Sequence, residues 1–237
     1  MKVSYHVFKD FKLDVAGATD EEIIMARRKS AAKIRRLRYS FVSLCWHPGR
    51  GTLFVGATNG SGDLLLEFDP AKSRFKSCGY AKSGLLLPVE AKIHKGLWLD
   101  EKEDALYFGT AALGYVPLIT DTPGGALVRY DVGKRRFKLI ARPTPGDFYQ
   151  AICRDGRRNR IYAWTRRGCF AVYDTKQRKL VRYEAMESAP HIGCIDDDDG
   201  VWGIYGGSDQ AFYRYVPGED RFEFPEGCRF PNALEAT

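Results

Sequence analysis

Histidine, tyrosine and arginine side chains recur at the starts of predicted strands and in the loops between them. His94, Tyr149 and His191 each come just before or at the start of an apolar strand segment. Further along predicted hairpins, the tight turn TRRG holds Arg166 and Arg167. An imidazole can act as a base near neutral pH, and a guanidinium can hold a carboxylate through two parallel hydrogen bonds. These residue types suit a site that binds an acidic molecule and moves a proton.

Each of these residue types also has a structural interpretation, which the sequence leaves open. The histidines could enter strands and bond neighbouring carbonyl groups. The tyrosines could be packing aromatics, and the arginines could be solvated turn residues. A functional interpretation therefore depends on whether the fold brings the candidates together.

A repeated pattern of strands and turns predicts that fold. The segments LLLEFDPAKSRFK, ALVRYDVGKRRFK, CFAVYDTKQRKLVRY and AFYRYVPGEDRFEF each read as strand, polar turn, strand. Another predicted hairpin precedes each segment, so the units begin near Tyr39, Lys92, Phe148 and Pro190. A period of about 40 to 55 residues is typical of β-propeller blades. We predict an all-β fold, a β-propeller of about four recognisable four-stranded blades, which could be part of a larger ring.

The domain organisation follows from the same repeat. Residues 39–237 are predicted to form the propeller, with blades over about 39–91, 92–147, 148–189 and 190–230. Residues 1–38 are predicted to form a strand and a basic helix that packs on the propeller. The segment TDEEIIMARRKSAAKIRRLRY has Thr19 as its cap, acidic residues in its first turn and basic residues in its last.

The predicted topology gathers the candidate residues on one rim. In each blade, the loop that enters the first strand and the loop between the second and third strands face the same side of the ring. The residues placed there are His94, Tyr115, Tyr149, Arg166, Arg167, His191, Asn59 and Asp209. The turns between first and second strands face the opposite side. One of them, DDDDG, lacks the ligand spacing and distal glutamate of a calcium loop and is predicted to be a tight turn.

The six cysteines fit the repeat better than they fit a metal site. No CxxC pair occurs, so we expect no zinc ribbon, and no cofactor or metal is predicted. Cys45, Trp98, Cys153 and Cys194 fall at matching positions in the first strands of the four blades. A position shared by cysteine and tryptophan is typical of packing, so free thiols are predicted.

The net charge of +7 favours an anionic partner. We expect an acidic polysaccharide or oligosaccharide rather than nucleic acid, because basic runs are common on protein surfaces. No apolar run is long enough for a membrane span, so no membrane partner is expected. The sequence as written predicts a cytoplasmic protein, and a removed signal peptide would make it secreted or periplasmic. An open arc of four blades would leave a sheet face uncovered, so a homo-oligomer is a further expectation.

The segment KIHKGLWLDEKEDALYFGT resembles the seven-bladed propeller polysaccharide lyases that cleave ulvan. The segment IGCIDDDDGVWGIYGG is more loosely similar to streptogramin-lyase-like propellers. The resemblance covers about residues 39–230 and rests on a histidine at the mouth of the first strand, followed by the strand YFGT. The family's second histidine would fall in AALGYVP, where Tyr115 is the nearest candidate. Tyr162, in RIYAWT, can match the family's tyrosine.

The resemblance implies β-elimination on a uronate-containing glycan. His94 would be the base, Arg166 or Arg167 would neutralise the sugar carboxylate, and Tyr115 or Tyr162 would protonate the leaving oxygen. The alternative is a non-catalytic propeller that binds a protein or glycan partner. A third hypothesis is a metal-dependent enzyme of the streptogramin-lyase kind, for which Asp209 is the candidate acid.

Overall fold

The computed structural model describes residues 40–59, 62–112, 122–186, 193–205 and 211–226. These residues form sixteen β-strands and a short 3-10 helix over Tyr80–Lys82. Blade 1 contains β1 (Ser40–His47), β2 (Thr52–Thr58), β3 (Leu65–Asp69) and β4 (Arg74–Ser77). Blade 2 contains β5 (Glu90–Asp100), β6 (Ala105–Ala112), β7 (Leu127–Asp131) and β8 (Arg136–Ala141). Blade 3 contains β9 (Tyr149–Asp155), β10 (Arg160–Thr165), β11 (Cys169–Asp174) and β12 (Lys179–Ala185). Blade 4 contains β13 (Cys194–Ile195), β14 (Val201–Tyr205), β15 (Ala211–Val216) and β16 (Arg221–Glu223).

The strands of each blade pair antiparallel in chain order. The last strand is the more exposed edge, and the middle strands of blades 1 to 3 are largely buried. This arrangement confirms the predicted all-β propeller. The predicted N-terminal strand and helix lie outside the described residues, and the predicted division at residues 38 and 39 stays a prediction.

The polar turns explain why the chain reverses where it does. At the end of the third strand of blades 1, 2 and 3, a carboxylate oxygen of Asp69, Asp131 or Asp174 accepts a backbone N–H from the turn that follows. The residue that closes each of these turns has a positive φ, as in Ser73 at 48°. The DDDDG segment is a turn as predicted, since Oδ1 of Asp196 accepts the N–H of Gly200 at 2.6 Å.

Aromatic side chains fill the spaces between blades. Phe54, Phe108 and Tyr130 belong to the cluster between blades 1 and 2. A second cluster contains Tyr107, Tyr149 and Ile152 between blades 2 and 3. A third contains Trp164, Phe170 and Tyr213 between blades 3 and 4. Burial of such large rings is the main source of stability at each joint between blades.

Polar and charged side-chain pairs near the turns between first and second strands add a second contact at each joint. The pairs are His47–Asp104 at 2.7 Å, Arg154–Glu103 at 3.6 Å and Arg158–Asp199 at 3.1 Å. Each joins one blade to its neighbour. Backbone contact between blades is limited, because a single bridge links Thr58 to Lys92 and another links Lys95 to Ala151 in the described residues.

The strand register places the three cysteines and Trp98 at equivalent positions. Cys45 lies opposite Phe54, Trp98 opposite Tyr107, Cys153 opposite Tyr162 and Cys194 opposite Trp202. Cys153 is buried as predicted, whereas Cys194 is exposed. This position faces the blade that follows, and for Cys194 the described residues contain no following blade. The five cysteines described are free thiols.

Candidate functional site

His94 lies within β5, where the pairing with β6 shifts between Ile93 and Leu97. His94 is half-buried, and its backbone carbonyl oxygen accepts a hydrogen bond from Oγ of Ser43 in blade 1. The histidine therefore sits where the first strands of two blades meet. Its predicted role as a base stays a prediction.

Tyr149 is buried in the cluster between blades 2 and 3, with 1% of its surface exposed. Its ring lies so close to Gly109 and Gly125 that a side-chain carbon at either glycine would be within 3 Å of it. Its hydroxyl lies 3.1 Å from Oγ1 of Thr144. Burial raises the pKa of Tyr149 well above its ordinary value. These contacts favour the packing interpretation that the sequence left open.

Tyr162 is fully buried between blades 3 and 4. Its ring stacks on Phe170 with centroids 6.3 Å apart, and its hydroxyl donates to Oδ2 of Asp155 at 3.3 Å. Burial, followed by the charge of Asp155, raises the pKa of Tyr162. Asp155 ends the first strand of blade 3, whereas Arg166 lies beyond the other end of β10. The Tyr162 hydroxyl is therefore directed toward one side of the ring, and the turn with Arg166 and Arg167 lies on the opposite side.

Arg166 and Arg167 form the turn between β10 and β11. The N–H of Arg166 donates to the carbonyl of Phe148 at 2.8 Å, and the N–H of Arg167 donates to Oδ1 of Asp147 at 3.2 Å. Arg167 is exposed and Arg166 is half-buried. Their backbones are fixed by the strand entry of the same blade, and the guanidinium of Arg167 is open to solvent.

Asn59 is fully buried, with its side chain bound to its own loop. Its Nδ2 donates to the carbonyl of Asp63 at 3.3 Å, and its Oδ1 accepts the N–H of Gly62 at 2.9 Å. This arrangement is that of a loop-stabilising residue. Three other predicted site residues, Tyr115, His191 and Asp209, lie outside the described residues.

The described part of the chain offers neither a cluster of metal ligands nor a membrane-spanning helix. No group of three or more histidine, cysteine, aspartate or glutamate side chains in that part could hold a metal ion. Nor does any helix there combine the length and apolar character needed to cross a bilayer.

A wide cavity opens on the side of the ring opposite the predicted rim. Its volume is about 900 Å³, and it lies among blades 2, 3 and 4. Its lining includes Trp98, Asp100, Arg154, Arg157 and Ile195. Arg154 was not among the residues singled out from the sequence. The sequence feature that could have identified it is the charge itself, because the equivalent strand positions of the other blades are the apolar Trp46, Leu99 and Ile195.

The outer faces of blades 1 and 4 carry exposed apolar side chains. Leu44 in β1 is 62% exposed, whereas Ile152, at the equivalent position of blade 3, is 3% exposed. Phe212 in β15 is 36% exposed, whereas the equivalent Phe170 is fully buried. Neighbouring blades cover these positions in the interior of the arc. We call the outer face of blade 1, with Leu44 and Trp46, the leading face. The outer face of blade 4, with Cys194, Trp202, Ile204 and Phe212, is the trailing face.

Similarity to solved structures supports the propeller fold. The chain is similar to the Kuenenia stuttgartiensis hydrazine synthase, with 14% identity and a TM-score of 0.52 over 77% of this chain and 47% of that one. It is similar to the WD40 repeats of RRP9, with 9% identity and a TM-score of 0.55 over 81% and 52% of the two chains. A chain of the mitotic checkpoint complex matches with 10% identity and a TM-score of 0.54 over 78% and 50%.

The chain thus spans about half the length of these structures. At such low identities the likeness shows the fold alone. No protein-family model matches the sequence. No curated protein matches it either. The resemblance to polysaccharide lyases is therefore supported as far as the propeller fold, and no lyase family is shown.

Proposed function

We propose that the chain is a non-catalytic propeller module that binds another protein through its leading and trailing faces. The exposure of Leu44, at a position where the equivalent Ile152 of blade 3 is buried, carries this proposal. Large apolar side chains clustered on one exposed face are typical of protein contact surfaces. Two of the similar structures are named as a WD40 repeat protein and a checkpoint complex, which agrees with an interaction role.

The chemistry of the two faces indicates the partner. Each face is one side of an antiparallel sheet whose equivalents pack on a neighbouring blade, so its natural cover is another blade. A second copy of this chain has both a leading and a trailing face, so it can cover both faces of the first copy. The trailing face of one copy would pack on the leading face of the other, and the reverse contact would close a ring of eight blades. A twofold closed ring leaves neither face exposed, and propellers reach about eight blades.

The test is the oligomeric state of the purified chain and of two variants. Leu44→Glu charges the leading face and Phe212→Glu charges the trailing face. We expect a dimer by sedimentation velocity, and each variant should shift the protein toward monomer, because an unpaired charge in an apolar contact is costly. Val181→Glu is the matched control, since Val181 is 40% exposed but lies on the outer strand of blade 3.

Mixing the two variants makes the test specific. The Leu44→Glu variant keeps its trailing face and the Phe212→Glu variant keeps its leading face. In a mixed dimer these two unchanged faces meet at one joint, so the mixture should associate more strongly than either variant alone. A wild-type chain that stays monomeric at high concentration would contradict the proposal. So would dissociation by Val181→Glu to the same extent as by Leu44→Glu.

Elimination on a uronate glycan is the second candidate function. The half-buried His94 and the exposed Arg167 favour it, because both are of the residue types that the reaction needs. The buried Tyr149 and Tyr162 do not support it, since neither hydroxyl is open to a substrate. The test is the ultraviolet absorbance of unsaturated sugar products from ulvan and other uronate polysaccharides. Activity that disappears in His94→Ala would favour the lyase over the binding module.

A further inference from the structure

A small cavity of about 220 Å³ lies between blades 2 and 3, on the side of the turns that join first and second strands. Strands β6, β7 and β8 form one wall, and β9 with the turns of blade 3 forms the other. The lining residues are Glu103, Tyr107, Arg129, Lys138, Ile140, Arg154, Asn159, Thr175 and Arg178. The cavity is separate from the predicted rim and from both terminal faces.

Arg154 lies at the inner end of this cavity, with 3% of its side chain exposed. Its guanidinium carbon lies 4.9 Å from the centre of the Tyr107 ring, and its Nη2 lies 3.6 Å from Oε1 of Glu103. Its Nε is buried, and no described residue accepts a hydrogen bond from it. Its Nη1 donates to the backbone carbonyls of Asp155 and Arg160, so the guanidinium is held in a fixed position at the wall of the cavity.

The other cations of the cavity leave it with a positive charge. Four basic residues line it, and Glu103 is the one carboxylate among the lining residues. Arg129 is already paired with Glu103 at 3.1 Å. Lys138 and Arg178 are exposed, and neither has an ion pair with a described residue. The excess charge is therefore available to a ligand at the mouth of the cavity.

The size and the arrangement of donors narrow the class of ligand. A cavity of about 220 Å³ is smaller than the roughly 300–1,000 Å³ that larger organic ligands occupy, so it suits one anionic group on a short carrier. The cations come from both walls of the cavity, Arg129 and Lys138 from blade 2 and Arg154 and Arg178 from blade 3. A phosphate group carries up to two negative charges and three strong acceptor oxygens, so it matches this excess of cations better than a carboxylate with a single charge.

We propose that this cavity binds a phosphate group, with Arg154 at its base and Lys138 and Arg178 at its mouth. Tyr107 and Ile140 would contact the short carrier. The group could belong to a phosphorylated side chain of a partner protein or to a small phosphate ester, which share the same chemistry. This inference rests on the cavity alone and is independent of the proposed dimer.

The first experiment observes Arg154 directly. In a sample labelled with nitrogen-15, the Nε–H signal of Arg154 is followed by NMR during titration at constant ionic strength. The probes are inorganic phosphate, phosphoserine, ribose 5-phosphate and acetate. We expect a saturable shift with phosphate probes and an affinity for acetate that is weaker by about tenfold or more. Tighter binding of phosphoserine would identify a phosphorylated protein as the source, and tighter binding of ribose 5-phosphate a small ester.

The second experiment separates a built site from general attraction. The double variant Lys138→Ala and Arg178→Ala removes the cations at the mouth of the cavity. The control, Arg136→Ala and Lys179→Ala, removes the same charge from exposed positions on the same two hairpins, outside the lining. We expect the first pair to weaken phosphate binding by about tenfold and the control by less than about twofold. Equal weakening by both pairs, or no saturable shift with any phosphate probe, would overturn the proposal.

Discussion

Arg142 donates hydrogen bonds to both carboxylate oxygens of Glu90, at 2.6 Å to Oε1 and 3.2 Å to Oε2. The Glu90 side chain is fully buried, and it also accepts from Oγ1 of Thr110 and from the backbone amides of Leu87 and Ala126. Glu90 begins the first strand of blade 2, and Arg142 follows the last strand. The pair therefore fastens the inner edge of the blade to its outer edge.

Replacement of Glu90 by glutamine should destabilise the protein strongly. The substitution leaves the Arg142 guanidinium largely buried without its counter-charge, and breaking a buried pair in this way costs about 3 kcal/mol or more. Urea unfolding at pH 7 measures the loss. The control is Glu219→Gln, which removes an exposed partner of Arg221 and should cost less than about 1 kcal/mol. Equal free energies of unfolding for the two variants would contradict this role of Glu90.

The contact between His47 and Asp104 should make the protein more sensitive to acid. Burial alone would raise the pKa of Asp104, but hydrogen bonds from His47 and Arg50 outweigh it and hold that pKa below its ordinary value. A carboxyl group whose pKa is lowered by folding stabilises the protein above its unfolded pKa, and this contribution disappears as pH falls through the folded pKa. We expect stability to decline below about pH 4.

The variant Asp104→Asn isolates that contribution. It should be less stable than the wild type at pH 7, and the difference between the two should shrink between about pH 4 and pH 2 as the wild-type carboxyl is protonated. Urea unfolding over this pH range provides the measurement. Parallel curves for the two proteins would show that Asp104 does not contribute to the acid sensitivity.

A side chain at Gly203 should destabilise the protein. A Cβ atom there would lie 2.5 Å from Cζ of Tyr213 and 2.6 Å from Nε1 of Trp164, which donates to the Tyr213 hydroxyl at 2.7 Å. Gly203→Ala must displace these two rings, so we expect a loss of about 2 kcal/mol and a change in tryptophan fluorescence. Gly218→Ala is the control, because nothing lies within 4 Å of its Cβ position. A Gly203→Ala variant as stable as Gly218→Ala would show that the joint between blades 3 and 4 is loosely packed.

The cysteines should differ in reactivity toward a thiol reagent. Cys194 is exposed, whereas burial raises the pKa of Cys78 to about 12 and leaves its thiol protonated. In dilute native protein we expect labelling at Cys194 and none at Cys78, as measured by mass spectrometry of the peptides. Cys194 belongs to the trailing face, so its labelling should slow as protein concentration rises and the dimer forms. A rate independent of concentration would count against the dimer.

The number and order of the strands were predictable from the sequence, because their causes are local. Alternation of apolar residues sets each strand, and the aspartates at the ends of third strands set the turns. The equivalence of Cys45, Cys153 and Cys194 followed from the same register. The exposure of Cys194 did not follow, because it depends on whether another blade covers that face.

The residues of a site were less predictable, because their environment depends on contacts between blades. Tyr149 was placed on the rim and Tyr162 was suggested by the family resemblance, yet packing of blades 2, 3 and 4 buries both rings. Arg154 carried a visible signal, a charge at a position that is apolar in the other blades. Its companions Lys138 and Arg178 lie on separate hairpins, and no spacing in the sequence relates them.

The pairing of strands in chain order has a consequence for how the molecule opens. Hydrogen-bonded partners within a blade are close in sequence, whereas blades hold one another mainly through side chains. Each blade can therefore act as its own cooperative unit, and the weakest joints will separate before any sheet comes apart. The hydrogen-exchange rates of backbone amides would then be similar within each blade, whatever the depth of burial of the individual amides. A ligand bound between blades 2 and 3 would stabilise the joint between them and so slow amide exchange in both blades together.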